Sequence, residues 1–165
     1  MRQAEKHAIM ADRVFDGTVV VDNAAVIIEG PRILAVIPQD AVPAHMPRHA
    51  LPDGAWLVPG FIDVQVNGGG DVLFNDEPTP DVIRAIAAAH RHFGTTALLP
   101  TLITDTPEQM LSALAAVEAL VDTEPSILGI HLEGPFLSPE RPGVHVADLL
   151  WDRRTSSVPA RSPAD

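Results

Sequence analysis

The sequence predicts an α/β fold in two parts, a small β-rich region followed by alternating strands and helices. Three observations lead there. Residues 8–58 break into short β-rich runs separated by turn signals. At Gly60 the pattern switches to strand, helix, strand, helix, strand, ending at Glu133. Both intervening helices open on a Thr-Pro pair, the mark of a capped helix start. Such alternation implies parallel strands joined by right-handed crossovers.

In the first part, Ala8 to Phe15 is mostly apolar and ends at the turn signal Asp16-Gly17. Val19 to Val21, Ala24 to Ile28 and Ile33 to Ile37 are further strand-forming runs. Glu29-Gly30-Pro31-Arg32 joins the last two and suits a hairpin. Residues 38–52 carry four prolines, which predicts a surface loop. Trp56-Leu57-Val58 regains strand character. A small antiparallel sheet or half-sandwich is expected.

In the second part, Phe61 to Asn67 alternates, with Ile62, Val64 and Val66 on one face and Asp63, Gln65 and Asn67 on the other. Gly68-Gly69-Gly70 reads as a flexible loop whose plainer role is a tight bend after a strand, because neither dinucleotide nor P-loop spacing is met. The first helix takes Thr79 as N-cap, Pro80 in its first turn and Gly94 just past its end. Its stripe is Val82, Ile83, Ile86, Ala87, His90 and Phe93. His90 and His92 are read as structural. Thr95 to Thr101 is the next strand. Thr106-Pro107-Glu108-Gln109 fits a capping box, followed by a stripe of Met110, Leu111, Leu114, Val117 and Val121. The last strand, Ile127 to Glu133, puts Leu128, Ile130 and Leu132 on one face and Gly129, His131 and Glu133 on the other.

Composition narrows the function. The chain has 165 residues, 46% hydrophobic and 20% charged, the balance of a globular chain with a sizeable core. A net charge of -11 weighs against nucleic acid and anionic membrane partners. With no cysteine, neither disulfides nor thiolate chemistry is available. The opening Met1-Arg2-Gln3-Ala4-Glu5-Lys6-His7 lacks a signal peptide's apolar run, and no later stretch is long enough to span a bilayer. A cytoplasmic protein is expected.

In parallel α/β folds, functional groups gather beyond the carboxyl ends of the strands. Here those ends carry Asp63, Gln65 and Asn67 on one strand and His131 and Glu133 on another, with Pro100-Thr101 between. Two such ends suit a metal or a substrate. Glu133 is a hard ligand for zinc or a related ion, whereas Gln65 and Asn67 are neutral and suit a water or a ligand hydroxyl. Polar residues that merely close the end of a sheet are the other reading.

Three stretches carry a family resemblance: Pro59-Gly60-Phe61-Ile62-Asp63-Val64-Gln65-Val66-Asn67-Gly68, Leu98-Leu99-Pro100-Thr101, and His131-Leu132-Glu133-Gly134-Pro135-Phe136. Gly143-Val144-His145 continues the third, which is the specific one. Over about residues 8–145 the chain resembles the N-acetylglucosamine-6-phosphate deacetylase family of the amidohydrolase superfamily. The resemblance implies a TIM barrel carrying a small β-sandwich. On this chain that means part of the sandwich at 1–58 and an incomplete barrel, its first three β-strands and two helices, at 59–145.

The same resemblance implies metal-dependent removal of the acetyl group from N-acetylglucosamine 6-phosphate. It implies one divalent metal ion, zinc first and iron or another divalent ion second. The partner it implies is a small-molecule amino-sugar phosphate, and the family assembles as a homo-oligomer. Glu133 matches the family's metal-binding glutamate, and Val144 and His145 match the pair that contacts the sugar. Gln65 and Asn67 stand where many amidohydrolases have His-x-His, which fits a branch with a single metal and puts Gln65 near the metal-bound water. His131 then orients or packs beside the metal.

The family's remaining metal ligands, general base and phosphate-binding residues lie further along than this chain reaches, and a TIM barrel needs roughly 250 residues. A truncated or frameshifted chain is therefore expected, with 146–165 a disordered tail and no activity alone. Two rivals stand beside this reading. One is a non-catalytic fragment that binds a sugar phosphate or a partner; the other is a different amidohydrolase, which would favour histidines at positions 65 and 67.

Overall fold

The computed structural model describes residues 5–138 and 140–151, and the chain divides into two units, Met1–Pro59 and Gly60–Asp165. Both are built on β-sheet, and the second also carries two α-helices, so the fold is mixed α/β.

The first unit holds β1 (Lys6–Phe15), β2 (Val20–Glu29), β3 (Arg32–Pro38), β4 (Arg48–Ala50) and β5 (Trp56–Leu57). Their order is β3-β2-β1-β4, with β5 also on β1. The hairpin at residues 29–32 forms as expected, pairing Glu29 with Arg32 around Gly30 at φ 55°. The two runs read at 19–21 and 24–28 are one strand, carried through the polar gap by Asn23 at φ 49°, a conformation that asparagine tolerates. The sheet is not purely antiparallel, because β4 and β5 run parallel to β1. β4 lies inside the proline-rich stretch expected to be loop. It is docked by Ala8 N–H to the Pro47 carbonyl (2.9 Å) and Leu51 N–H to the Met10 carbonyl (2.9 Å). Three residues between prolines are too short to show a period.

Strand alternation then builds two apolar clusters from one strand. Ala25 and Ile27 of β2 join Ala8 and Val42, while Ala24 and Val26 join Ala11 and Val14.

The turn after β1 is closed by Asp16, whose Oδ1 accepts the N–H groups of Thr18 (2.8 Å) and Val19 (2.9 Å). These bonds, that from Val19 first, hold the Asp16 carboxyl below the usual aspartate range. A lowered folded-state value means the contribution is present above the ordinary range and is lost as pH falls through the lowered one. Asp16→Asn is accordingly expected to flatten the acid limb of the stability–pH curve measured by thermal melts. Superimposable acid limbs would remove this turn as a source of the pH dependence.

The second unit holds β6 (Phe61–Val66), β7 (Gly68–Gly69), β8 (Val72–Leu73), α1 (Pro80–Arg91), β9 (Thr95–Ile103), α2 (Pro107–Val121) and β10 (His131–Glu133). The main sheet has the order β10-β9-β6, and both pairings are parallel, as the strand–helix alternation predicts. Thr79 and Thr106 cap the helices, accepting N–H bonds from Val82 (3.4 Å) and Gln109 (3.3 Å). The reciprocal half of the capping box is replaced. Asp105 takes the Thr106 N–H at 2.8 Å, and the Gln109 side chain donates to the Asn75 carbonyl at 3.2 Å.

The core of this unit joins Phe74, Ile83, Ile86, Leu98, Leu102 and Leu120 with smaller apolar residues of both helices. The α1 stripe is buried from Val82 to Ala87, but Phe93, past the helix end, is 82% exposed. The α2 stripe differs from expectation. Ala113, Ala116, Val117 and Leu120 are buried, while Leu111 is 67% exposed and Leu114 and Val121 are also exposed. This helix is apolar nearly all round, so two sets of residues share helical spacing and the period does not choose between them. The alanines allow the closer approach.

One local expectation is met and one changes. The triglycine makes the tight bend expected after the strand, with Gly68 paired to Leu73 and Gly69 to Val72 in a hairpin. A Cβ on Gly69 would lie 2.9 Å from the His90 ring, and His90 Nε2 bonds the Gly68 carbonyl at 2.9 Å. His90 is therefore structural. The strand read as Ile127 to Glu133 is interrupted at Gly129, whose φ of 149° is a glycine conformation. Ile127 bridges to Leu98 before the break, and the ladder resumes at His131.

Of the stretch expected to be disordered, residues 146–151 carry a 3₁₀ turn, Ala147–Leu149, and Trp151 meets Phe136 edge-on at 5.7 Å. Residues 152–165 lie outside the described residues. Among the described residues no helix is long and apolar enough to cross a membrane.

Candidate active site

Parallel pairing sends the carboxyl ends of β6, β9 and β10 to the same edge of the sheet, with β9 in the middle. Gln65 near the end of β6 donates from Nε2 to Glu133 Oε2 at the end of β10, a bond of 3.2 Å across β9. The other carboxylate oxygen, Oε1, lies 3.6 Å from His145 Nε2. That is beyond a hydrogen bond but within ion-pair range. His145 is only 8% exposed and sits in the turn that follows β10, where its N–H bonds the Pro142 carbonyl at 3.1 Å.

Gln65, Glu133 and His145 thus form one cluster. Asn67 stands apart from it and contributes its backbone carbonyl, which accepts the Phe74 N–H at 2.8 Å. Val144 is 80% exposed, next to His145 but outside these contacts.

β9 supplies Thr101, expected between the two strand ends but given no role there, and the residue just past the strand, Thr104, is not singled out by the sequence. Thr101, fully buried, accepts the Val66 N–H at 2.9 Å and meets His131 Nδ1 at 3.2 Å, so one hydroxyl ties β6 to β10. Thr104, just past the strand, meets His145 Nδ1 with its hydroxyl at 2.8 Å and donates its own N–H to that nitrogen at 3.3 Å. Asn75 holds the strand end itself. Its side chain accepts the Ile103 N–H (3.0 Å) and donates to the Ile103 carbonyl (3.2 Å) and to Asp105 (3.0 Å), imitating one more strand. Hydroxyls between two polar strand ends were the one available signal.

The donor chemistry is a single carboxylate flanked by an amide and an imidazole. Among the described residues no group of three or more His, Asp or Glu side chains is placed to hold a metal ion, so they do not make a metal site on their own. Among them, too, every buried side-chain nitrogen and oxygen has a hydrogen-bond partner.

Comparison with known proteins now bears on this arrangement. Residues 7–57 match the NagA composite domain. An N-acetylglucosamine-6-phosphate deacetylase from Haemophilus influenzae is 38% identical over 146 residues, 88% of this chain and 38% of that protein. The crystal structure of the Pasteurella multocida N-acetylglucosamine-6-phosphate deacetylase superposes with a TM-score of 0.84 at 31% identity, over 88% of this chain and 38% of that one. The chain matches the N-terminal portion of the N-acetylglucosamine-6-phosphate deacetylases.

An N-acetylgalactosamine-6-phosphate deacetylase from Shewanella is 52% identical over 103 residues, 62% of this chain and 26% of that protein. A variant of the Mycobacterium smegmatis deacetylase, solved in complex with N-acetyl-D-glucosamine-6-phosphate, gives a TM-score of 0.79 at 36% identity, over 90% of this chain and 38% of that one. The chain therefore spans between about a quarter and two fifths of the length of these deacetylases.

Proposed function

We propose that this chain carries the N-terminal part of a cytoplasmic, metal-dependent deacetylase that converts N-acetylglucosamine 6-phosphate to glucosamine 6-phosphate and acetate, and that the 165 residues alone do not turn it over. The observation that carries the reading is the convergence of Gln65, Glu133 and His145 at the carboxyl ends of parallel strands. In this reading β6, β9 and β10, with α1 and α2, are the first three strands and two helices of an incomplete TIM barrel. Glu133 serves as one ligand of a divalent ion, zinc first. Such an ion, when bound, supplies the charge that activates water for amide hydrolysis. His145, Val144, Gln65 and Asn67 face the amino-sugar phosphate, and nucleic acid and membrane are not partners.

One carboxylate holds zinc weakly. After dialysis against zinc, the chain is expected to keep well below one ion per molecule and to release no acetate. A stoichiometric ion together with acetate release would overturn the claim that it is inactive alone. Titration with N-acetylglucosamine 6-phosphate tests the rest. Weak binding that falls about 10-fold in His145→Ala is expected from one lost hydrogen bond to a charged or polar ligand. The absence of binding even at millimolar ligand would sink the substrate assignment. The Shewanella relative at 52% identity favours the galactosamine epimer as a second reading, and a parallel titration with that sugar phosphate decides between them.

A further inference from the structure

His145 has two ring nitrogens with different surroundings. Nε2 faces the Glu133 carboxylate, whereas Nδ1 faces the backbone N–H and the hydroxyl of Thr104. The backbone N–H of Thr104 lies 3.3 Å from Nδ1 and can only donate. An Nδ1 that carried its own proton would set two N–H groups against each other in a buried place, a cost with no compensation. Nδ1 therefore offers its lone pair to that N–H; the Thr104 hydroxyl lies 2.8 Å from the same nitrogen, and its single proton is shared between that contact and the Glu133 carbonyl at 3.3 Å. The proton of the neutral ring is left on Nε2, on the side of Glu133 Oε1.

We propose that Thr104 is a positioning residue whose backbone N–H holds His145 in its Nε2–H tautomer, so that this buried imidazole turns an N–H rather than a lone pair toward the Glu133 carboxylate. The consequence for a metal is direct. A neutral His145 held this way has no lone pair on Nε2 to give to an ion at Glu133, and it stays on the substrate's side of the reaction. What the tautomer does for a sugar phosphate rests on the deacetylase reading above; the tautomer itself does not.

The test is a long-range proton–nitrogen spectrum of the 165-residue chain labelled with ¹⁵N-histidine, recorded at alkaline pH where the rings are neutral. His145→Gln identifies the signals. A protonated Nε2 and a lone-pair Nδ1 are expected. Thr104→Ser and Thr104→Val both keep the backbone N–H and are expected to retain that pattern. An Nδ1–H ring in the unsubstituted chain, or a Thr104→Val spectrum in which the separation between the two nitrogens is lost, overturns the proposal. If Thr104→Val fails to fold, the unsubstituted spectrum and the serine variant still decide. Adding N-acetylglucosamine 6-phosphate is a separate arm: no response at His145 counts against the deacetylase reading and leaves the tautomer result standing.

Discussion

Phe74→Ala is expected to destabilise the second unit by about 3–5 kcal/mol, the usual cost of emptying a fully buried aromatic site. Phe74 has no exposed surface and belongs to the cluster that joins both helices to the sheet. Its backbone N–H is also bonded to the Asn67 carbonyl just past β6, so the residue sits where the glycine hairpin meets the strand end. Against a total stability of about 5–15 kcal/mol for a typical domain, such a loss is large. Urea unfolding reads it as a lowered midpoint with an unchanged slope. A loss under about 1 kcal/mol would mean that the site collapses around the vacancy, contrary to the packing described.

Gly134→Ala is the second large effect, and it reaches the site. The backbone there has φ 105°, which costs a residue with a side chain about 1–3 kcal/mol. A Cβ would also overlap the Thr104 hydroxyl oxygen and lie 3.3 Å from the Thr104 Cβ. Thr104 has to give way, and with it the partner of His145 Nδ1. The expected result is a lowered melting temperature together with a changed His145 tautomer signal. Gly143→Ala is the control, since Gly143 has φ 61° but open space where the Cβ would go. Equal effects of the two substitutions would show that backbone conformation alone is at stake and that the Thr104 overlap is not felt.

Much of the fold was legible because its signals are local. Thr79-Pro80 and Thr106-Pro107 start the helices they announce, since a cap and its first turn lie within four residues. The Asp16-Gly17 turn and the hairpin at 29–32 form for the same reason. The parallel order of β6, β9 and β10 followed from alternation, because a crossover helix leaves few other connections. The misreadings share the opposite property. The buried side of α2 is set by what packs on it, and a helix apolar on most sides does not say which. β4 pairs with β1 some forty residues earlier, at a place where the local text reads as a proline loop.

The site divides along the same line. Sequence by itself determined which polar groups stand at strand ends, Gln65 on one strand and Glu133 on another, because strand period and strand termination are local properties. Only the tertiary structure decided that these two share a hydrogen bond across β9, 68 positions apart. It alone decided that Thr104 grips His145 from 41 positions away, and so which face of the imidazole meets the carboxylate. Neither contact leaves a mark in either stretch of sequence. A threonine beyond a strand and a histidine in a turn are ordinary until the sheet brings them together, and a tautomer is then set by the last donor to arrive at the ring.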